Sequence, residues 1–298
     1  MKAIAQRIGL WGLLSIFLAI FILPSSVSAD AIVGETVVTL GNDLTLEQKN
    51  AILKEMGVDN SVKQLVITNQ EEHKYLGKYM KPAVIGSKAI SSAKITLKEK
   101  GYGIRVKTNN INTITQTMYA NALITAGVTD ADVYVTAPFK VSGTAGLTGI
   151  IKAFEEAADI DIDENQKQVA NEEMVRTAEI AEKIGDTEKA TLFVIKVKEE
   201  VAKQQPETKE EIRNIVINVS NQYNINLEQK EIENMTQFGE NFSKLDVDWK
   251  LLNQQLQNLG EQLEKVEETL NTEETRNIFQ KMWDAIVSFF SWLGGLFS

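Results

Sequence analysis

The sequence contains no cysteine and a single histidine, His73, among its 298 residues. Disulfides, thiolate metal sites and cysteine nucleophiles are therefore excluded, and His-rich zinc sites are excluded with them. The chain also lacks an excess of cations, since its net charge at pH 7 is −10. Because phosphate contacts need clustered Lys and Arg, we do not expect nucleic acid to be a partner.

The negative charge is concentrated in the second half of the chain. Residues 30–160 contain 14 Lys and Arg and 14 Asp and Glu, whereas residues 161–298 contain 15 and 27. The second half therefore carries a charge of −12, and this shift predicts a domain boundary near residue 160.

The first 29 residues have the pattern of a secretory signal peptide. Lys2 and Arg7 precede an apolar run from Ile8 to Leu23, and Val27-Ser28-Ala29 offers small residues for cleavage. An uncleaved N-terminal anchor is the alternative. The signal peptide predicts a secreted or extracellular protein, with association with the cell surface as an option, whose mature chain begins near Asp30.

Strand and helix patterns alternate through residues 30–160. An apolar, β-branched run at Ile32–Leu40 predicts a strand, and Thr45 is placed to cap a helix that ends near Gly57. Lys63–Thr68 predicts a second strand, parallel to the first, and Asn69 is predicted to cap a short helix. The pattern indicates an α+β fold, with a mixed sheet in the first half and an all-helical second half.

Residues 93–107 alternate between apolar and polar side chains across the turn Gly101-Tyr102-Gly103. The alternation predicts a β-hairpin whose outward side chains form one basic face. That face suits either protection of a sheet edge or docking of an anionic partner, which could be the acidic half of the same chain. A helix around Ile114–Ile124 follows and is predicted to stop at Gly127.

The stretch Asp130–Phe154 is predicted to join the sheet to the helices. It contains a buried strand at Val133–Ala137, a turn at Pro138, a loop of small residues and a helix that starts near Thr144. A helix N-terminus can hold an anion through its free N–H groups, so the loop is a candidate ligand site. Tight packing between strand and helix is the alternative. The candidate ligand residues are Ser142, Gly143, Thr144 and Gly146.

From residue 165 onward the sequence predicts consecutive helices. The predicted spans are 165–184, 187–205, 208–222, 228–242, 247–270 and 274–296. Helix 247–270 has a heptad seam of Leu and Trp residues, which suits either packing within the chain or self-association. The last helix has an apolar stripe that includes Phe279, Trp283, Phe290 and Leu293. Those four residues are candidates for membrane or partner contact, and packing in the core is the alternative.

Several short motifs resemble known functional sites, but the residues around them do not match those sites. Ser91-Ser92-Ala93-Lys94 lies in a predicted strand, so it does not match the helical Ser-x-x-Lys of penicillin-binding enzymes. Asp159–Asp163 imitates a calcium loop, but Glu164 stands where that loop needs Gly. His73 lies beside two glutamates with no nucleophile pattern, which favours a surface histidine. We therefore predict no catalytic residue, no metal and no cofactor.

Six blocks of residues resemble the YpuA-like exported proteins of Bacillus relatives. These blocks are Gly34–Gly41, Glu72 with Tyr75–Gly77, Ile85–Ser92, Met118–Leu123, Ala137–Ala145 and Val169–Glu173. Because the blocks are spread along the chain, the resemblance covers most of residues 32–205, while the last hundred residues resemble the family only in being helical. The family is a domain of unknown function, so the resemblance implies an exported protein of a Gram-positive bacterium and supplies no catalytic residues.

The sequence leaves three functional hypotheses. The first is a non-enzymatic extracytoplasmic protein of the cell surface or wall, with a cell-envelope component or membrane surface as partner. The second is a module that binds a small ligand or anion at the Ser142–Gly146 loop. The third is a hydrolase that uses carboxylates such as Glu35 or Glu72.

Overall fold

We analysed a computed structural model of the chain, which describes residues 33–59 and 61–270. The predicted signal peptide and the predicted last helix lie outside the described residues. The strands are β1 (Thr36–Gly41), β2 (Lys63–Ile67), β3 (Ser92–Leu97), β4 (Ile104–Ile111) and β5 (Ala131–Val141). The helices are α1 (Leu46–Glu55), α2 (Asn69–Leu76), α3 (Pro82–Ile85), α4 (Gln116–Thr125), α5 (Thr144–Ala158), α6 (Glu164–Ile184), α7 (Thr187–Gln204), α8 (Lys209–Gln222), α9 (Gln229–Ser243) and α10 (Trp249–Leu270).

The described strands form one mixed sheet in the order β2-β1-β3-β5-β4. Strands β1 and β2 are parallel, as predicted, and β5 is parallel to β4 but antiparallel to β3. The sheet lies in the first half of the chain and the second half is helical, so the predicted α+β class is confirmed.

One face of the sheet holds the larger part of its core. Alternate residues such as Val37, Ile95 and Val135 are fully buried there, in one cluster with Leu147 and Ile150 of α5. α4 and α6 join this cluster as well. Because a strand places successive side chains on opposite faces, the other face receives Val38 and Leu40, and α1 covers them.

The predicted β-hairpin at residues 93–107 is wrong. β3 and β4 are not paired with each other, because β5 lies between them and is bonded to both. The connection from β3 to β4 passes over the start of β5, where the Asp130 carboxylate accepts hydrogen bonds from the N–H groups of Gly101 and Gly103, at 2.9 and 2.8 Å. The two glycines therefore wrap an acidic side chain and do not form a tight hairpin turn.

The predicted turn at Pro138 is also wrong, since β5 continues through Pro138 to Val141. The pairing of β5 with β3 ends at Thr136, so β4 is the remaining neighbour. The β4 register is interrupted at Asn110, which has a φ of 58° and donates a side-chain hydrogen bond to the Ala137 carbonyl. A proline without an N–H is tolerated in a strand at such an irregularity.

Five of the predicted helices in the second half agree with α6–α10 to within two residues at each end. In α10, Leu252, Leu256 and Leu263 of the heptad seam are buried in a cluster with residues of α7, α8 and α9. The seam therefore packs within the chain. Self-association through residues 247–270 stays a prediction.

Candidate functional site

The Ser142–Gly146 loop connects β5 to α5, and its glycines lie against neighbouring side chains. Gly143 is the N-terminal cap of α5 with a φ of 96°, and its carbonyl accepts a hydrogen bond from the Tyr119 hydroxyl at 2.5 Å. A Cβ atom on Gly146 would lie 2.5 Å from the Tyr119 oxygen and 2.9 Å from a Val135 methyl carbon. Both glycines are thus required by close packing of the loop onto α4 and β5.

The start of α5 contacts a buried carboxyl group. Glu72, which is 2% exposed, accepts a hydrogen bond from the Thr144 hydroxyl at 3.3 Å and another from the Asn69 side-chain amide at 3.1 Å. The Ser142 hydroxyl lies 3.3 Å from that of Thr144. Burial raises the pKa of Glu72 to about 7, although both hydrogen bonds act against the rise. Glu72 therefore titrates near neutral pH.

A polar cavity lies further along α5, where it faces α2 and α6. Its volume is about 150 Å³. The residues that line this α2–α5–α6 cavity are Glu71 and Tyr75 of α2, Thr148, Ile151, Lys152 and Glu155 of α5, and Lys167 and Asn171 of α6.

Two ion pairs stand in the wall of the cavity. The Lys152 ammonium lies 2.6 Å from the Glu71 carboxylate, and Lys167 lies 2.9 Å from Glu155. Burial disfavours the charge on Glu71, but hydrogen bonds from Lys152 and Thr68 outweigh it and hold the pKa of Glu71 below its usual value. Burial likewise disfavours the charge on Lys167, and Glu155 outweighs it, so the pKa of Lys167 is raised. Both shifts favour the charged forms of Glu71 and Lys167.

Helix capping explains why Glu71 is held in place. The Thr68 hydroxyl accepts a hydrogen bond from the Glu71 N–H, and the Glu71 carboxylate accepts one from the Thr68 N–H, which together form a capping box. The N-terminal cap of α2 is therefore Thr68, and the predicted cap at Asn69 is wrong. The same carboxylate serves both the cap and the ion pair with Lys152.

Two buried polar atoms, which belong to residues that line the cavity, have no partner within the described part of the chain. They are the Thr148 hydroxyl and the side-chain carbonyl oxygen of Asn171, whose residues are 5% and 0% exposed. Each buried polar atom that lacks a hydrogen bond costs about 1–3 kcal/mol. Native proteins seldom leave such atoms unpaired, and this makes the cavity a candidate site for a polar ligand or water.

The basic residues of the predicted hairpin do share one face of the sheet, but β5 adds other side chains between them. Asp132 lies 3.0 Å from Lys98, and the Arg105 guanidinium stacks over the Tyr102 ring at 4.2 Å. In register, Tyr134 stands between Lys94 and Lys107. The face is therefore mixed in charge and is not a basic one.

A buried ion pair in the helical half was not predicted from the sequence. The Lys198 ammonium lies 3.0 Å from both Glu173 oxygens and 2.7 Å from the Asn121 side-chain oxygen, with Lys198 and Glu173 at most 1% exposed. Desolvation lowers the pKa of Lys198 and raises that of Glu173, and their mutual attraction acts in the opposite direction. These residues join α4, α6 and α7 and are remote in sequence, so no local pattern marks them.

His73 is half-buried, and its Nε2 atom lies 2.9 Å from the Gly86 carbonyl, which gives it a structural partner. Within the described ranges, no group of three or more acidic or His residues is arranged to hold a metal ion. Among the helices of residues 33–59 and 61–270, none is both long and apolar enough to cross a membrane. Phe279, Trp283, Phe290 and Leu293 lie outside the described residues.

These features define an α+β protein in which a five-stranded mixed sheet is joined to a helical half, with a small polar cavity beside the join. The chain belongs to the family described as "Protein of unknown function (DUF1002)", whose family model matches residues 40–259. It is similar to the "Uncharacterized protein YpuA" of Bacillus subtilis (strain 168), with 43% identity over 287 residues that cover 94% of this chain and 98% of the relative. The resemblance to YpuA-like proteins is thus confirmed. No solved structure matches the chain.

Proposed function

We propose that this chain is an exported, extracytoplasmic protein of the cell surface that acts by binding, without catalysing a reaction. We further propose that it binds a small polar molecule in the α2–α5–α6 cavity. The observation that supports the binding role is the pair of unpartnered atoms, on Thr148 and Asn171, in a cavity with two ion pairs. The N-terminal pattern of Lys2, Arg7 and the apolar run supports export.

The cavity replaces the Ser142–Gly146 loop as the preferred place for a ligand. A backbone that packs on Tyr119 leaves little room at Gly143 and Gly146, whereas the cavity lies along the same helix and has free hydrogen-bonding atoms. Thr144 still begins the row of α5 side chains that leads to Thr148. A ligand site at Ser142, Gly143, Thr144 and Gly146 remains the alternative within this proposal.

The binding proposal is tested with residues 30–298 and a panel of small polar compounds in a thermal-shift assay. Thr148→Val keeps the shape of the side chain but removes the free hydroxyl, so it should abolish any shift that the cavity causes. Thr113→Val is the matched control, because Thr113 is exposed and does not line the cavity. A ligand whose shift survives Thr148→Val binds elsewhere, and the loop alternative then gains support.

Export is tested by expressing the full chain in a Gram-positive host and sequencing the N-terminus of the protein found in the medium. We expect the sequence to begin at or near Asp30. A protein that stays in the cytoplasm with Met1 intact would overturn the proposed location. Deletion of residues 278–298 then tests surface association through the last helix, since unchanged partitioning between cells and medium would contradict it.

A hydrolase is the second candidate function, and one observation favours it. Glu72 is a buried carboxyl group with a pKa of about 7, which is a range suited to a general acid or base. Its burial and its hydrogen bonds from Thr144 and Asn69 favour a structural role instead. Activity screening with Glu72→Gln as the control decides the question, because activity that survives this substitution does not use Glu72.

A further inference from the structure

We propose that the α2–α5–α6 cavity takes a small zwitterion, a molecule with one ammonium and one carboxylate group such as a free α-amino acid. This inference rests on the proposed function, in which the cavity binds a small polar molecule. It adds the chemical class of the ligand, which follows from the charge balance, the hydrogen-bonding capacity and the size of the cavity.

The charge of the cavity wall is balanced. Glu71 and Glu155 are each paired with a lysine, Lys152 and Lys167 respectively. A ligand with net charge would bring an unpaired charge into a partly desolvated space, and isolated charges there are strongly disfavoured. A net-neutral ligand avoids this penalty. In a zwitterion, the ammonium group is also attracted to the glutamates of the wall, and the carboxylate is attracted to the lysines.

The unpartnered Asn171 oxygen needs a donor from the ligand, and the Thr148 hydroxyl can use an acceptor. The Asn171 amide nitrogen donates to the Lys167 carbonyl at 2.8 Å, and since a carbonyl only accepts, this bond fixes which end of the amide is the oxygen. The free Asn171 oxygen can therefore only accept a hydrogen bond, which an ammonium group donates. The Thr148 hydroxyl is able to donate, and a carboxylate accepts.

Lys152 has an N–H donor that is available to the carboxylate of the ligand. Its ammonium group donates to the Val66 carbonyl at 2.7 Å and to Glu71 at 2.6 Å. An ammonium group has three N–H donors, so a third remains for a ligand. Charge-assisted hydrogen bonds are about twice as strong as neutral ones, and this favours a carboxylate over a hydroxyl group.

The volume sets the size of the ligand. The cavity has a volume of about 150 Å³. It is smaller than the 300–1,000 Å³, roughly, of sites for drug-sized ligands, and this favours a small ligand over a nucleotide or disaccharide. Small amino acids are of suitable size, and Tyr75 and Ile151 supply a less polar part of the wall for a short side chain.

Isothermal titration calorimetry on residues 30–298 tests the inference with matched probes. Glycine, L-alanine and L-serine carry both charges, acetate and methylammonium carry one charge each, and glycerol is neutral. We expect at least one zwitterion to bind about tenfold or more tightly than each of the other three probes. Thr148→Val should lower the affinity for that zwitterion by about tenfold or more, whereas Thr113→Val should leave the affinity unchanged.

The outcomes separate the inference from the proposed function. If glycerol or a single-charge probe binds best and loses affinity in Thr148→Val, the zwitterion inference is overturned. The proposed binding site in the cavity is then still supported. If none of the six probes binds, the zwitterion inference is overturned, and the panel of the thermal-shift assay decides whether the cavity binds another small polar molecule. Where Thr148→Val does not fold, NMR of the unmodified protein decides, because a cavity ligand must shift the Thr148 and Asn171 resonances.

Discussion

At the scale of single residues, Glu72 is a buried group whose charge depends on pH near neutrality. Burial raises its pKa to about 7 from an ordinary value of 4.5, so the folded protein holds a proton that the unfolded chain releases. The contribution of Glu72 to stability is therefore fully present below pH 4.5. It is lost as the pH rises through about 7.

Replacement of Glu72 by glutamine should remove this pH dependence. A shift of this size corresponds to about 3 kcal/mol between pH 4.5 and pH 8, as an order of magnitude. We expect Glu72→Gln to lose less stability than the unmodified protein over this range when urea unfolding is followed by circular dichroism. Equal losses in the two proteins would show that the pKa of Glu72 is the same in the folded and unfolded states.

Glycines in two helices offer a comparison at the same scale. Gly146 of α5 faces the Tyr119 hydroxyl and a Val135 methyl at distances below 3 Å from an added Cβ, whereas the contacts of Gly260 in α10 begin at 3.1 Å with the Glu199 side chain. We expect Gly146→Ala to lower the free energy of unfolding by about 1–3 kcal/mol through overpacking. Gly260→Ala should be neutral or stabilising by up to about 1 kcal/mol, because alanine is the better helix former. Equal effects in chemical denaturation would contradict the packing account of Gly146.

At the scale of elements, α10 is fixed to the helical half by one row of side chains. Leu256 is fully buried among residues of α7 and its neighbours, while Leu251 on the same helix is 42% exposed. A buried leucine that is truncated to alanine loses about 2–5 kcal/mol of stability. We therefore expect Leu256→Ala to lower the free energy of unfolding by this amount and Leu251→Ala to change it by less than about 0.5 kcal/mol.

Thermal and urea unfolding of the two variants at several protein concentrations checks this prediction. The effect of Leu256→Ala should not depend on concentration, since the seam packs within one chain. A concentration-dependent effect would instead support self-association through α10.

Elements were predicted well from the sequence where their signals are local. The helix ends in the second half follow from residues such as Gly185 and Pro206, which act within one turn of the helix. The order of the strands could not be predicted in this way. It depends on β5, whose residues pair with residues of β3 and β4 that are 27 to 44 positions away in the sequence, and an alternating pattern does not identify the partner.

The cavity shows the same limit of sequence analysis. Its unpartnered atoms belong to Thr148 and Asn171, and its ion pairs join residues as distant in sequence as Glu71 and Lys152. Each of these polar residues on a helix is ordinary by itself. The nearest signal in the sequence was the small-residue loop at Ser142–Gly146, which lies at the start of the same helix, α5, and stays a predicted ligand site.

At the scale of the whole molecule, the two halves share their packing. Ala170, Met174 and Val175 of α6 are buried in the same cluster as the sheet, although they lie beyond the boundary predicted near residue 160. Leu259 of α10 is packed against that cluster and against the cluster of the helical half. The first half therefore depends on side chains from the second half for its core.

This dependence predicts that residues 30–160 do not fold alone. Without α6, the apolar surface that Met174 and Val175 cover would be exposed, and Lys167 and Asn171 of the cavity would be missing. We expect a fragment of residues 30–160 to lack a cooperative thermal transition by near-ultraviolet circular dichroism, whereas residues 30–270 should retain one. A sharp transition in the shorter fragment would instead support two independent domains with a boundary near residue 160.

The position of β5 in the sheet also has a consequence for folding kinetics. β5 is the last of the five described strands along the chain, yet it lies between two strands that precede it. Until residues 131–141 are available, β3 lacks its partner on one side and β4 has no strand beside it in the order of the sheet. Such unpaired edges are prone to pair with other chains, and contacts between distant residues slow folding. We therefore infer that insertion of β5 between β3 and β4 limits the folding rate, and that β3 and β4 are the segments through which a nascent chain would aggregate before that step.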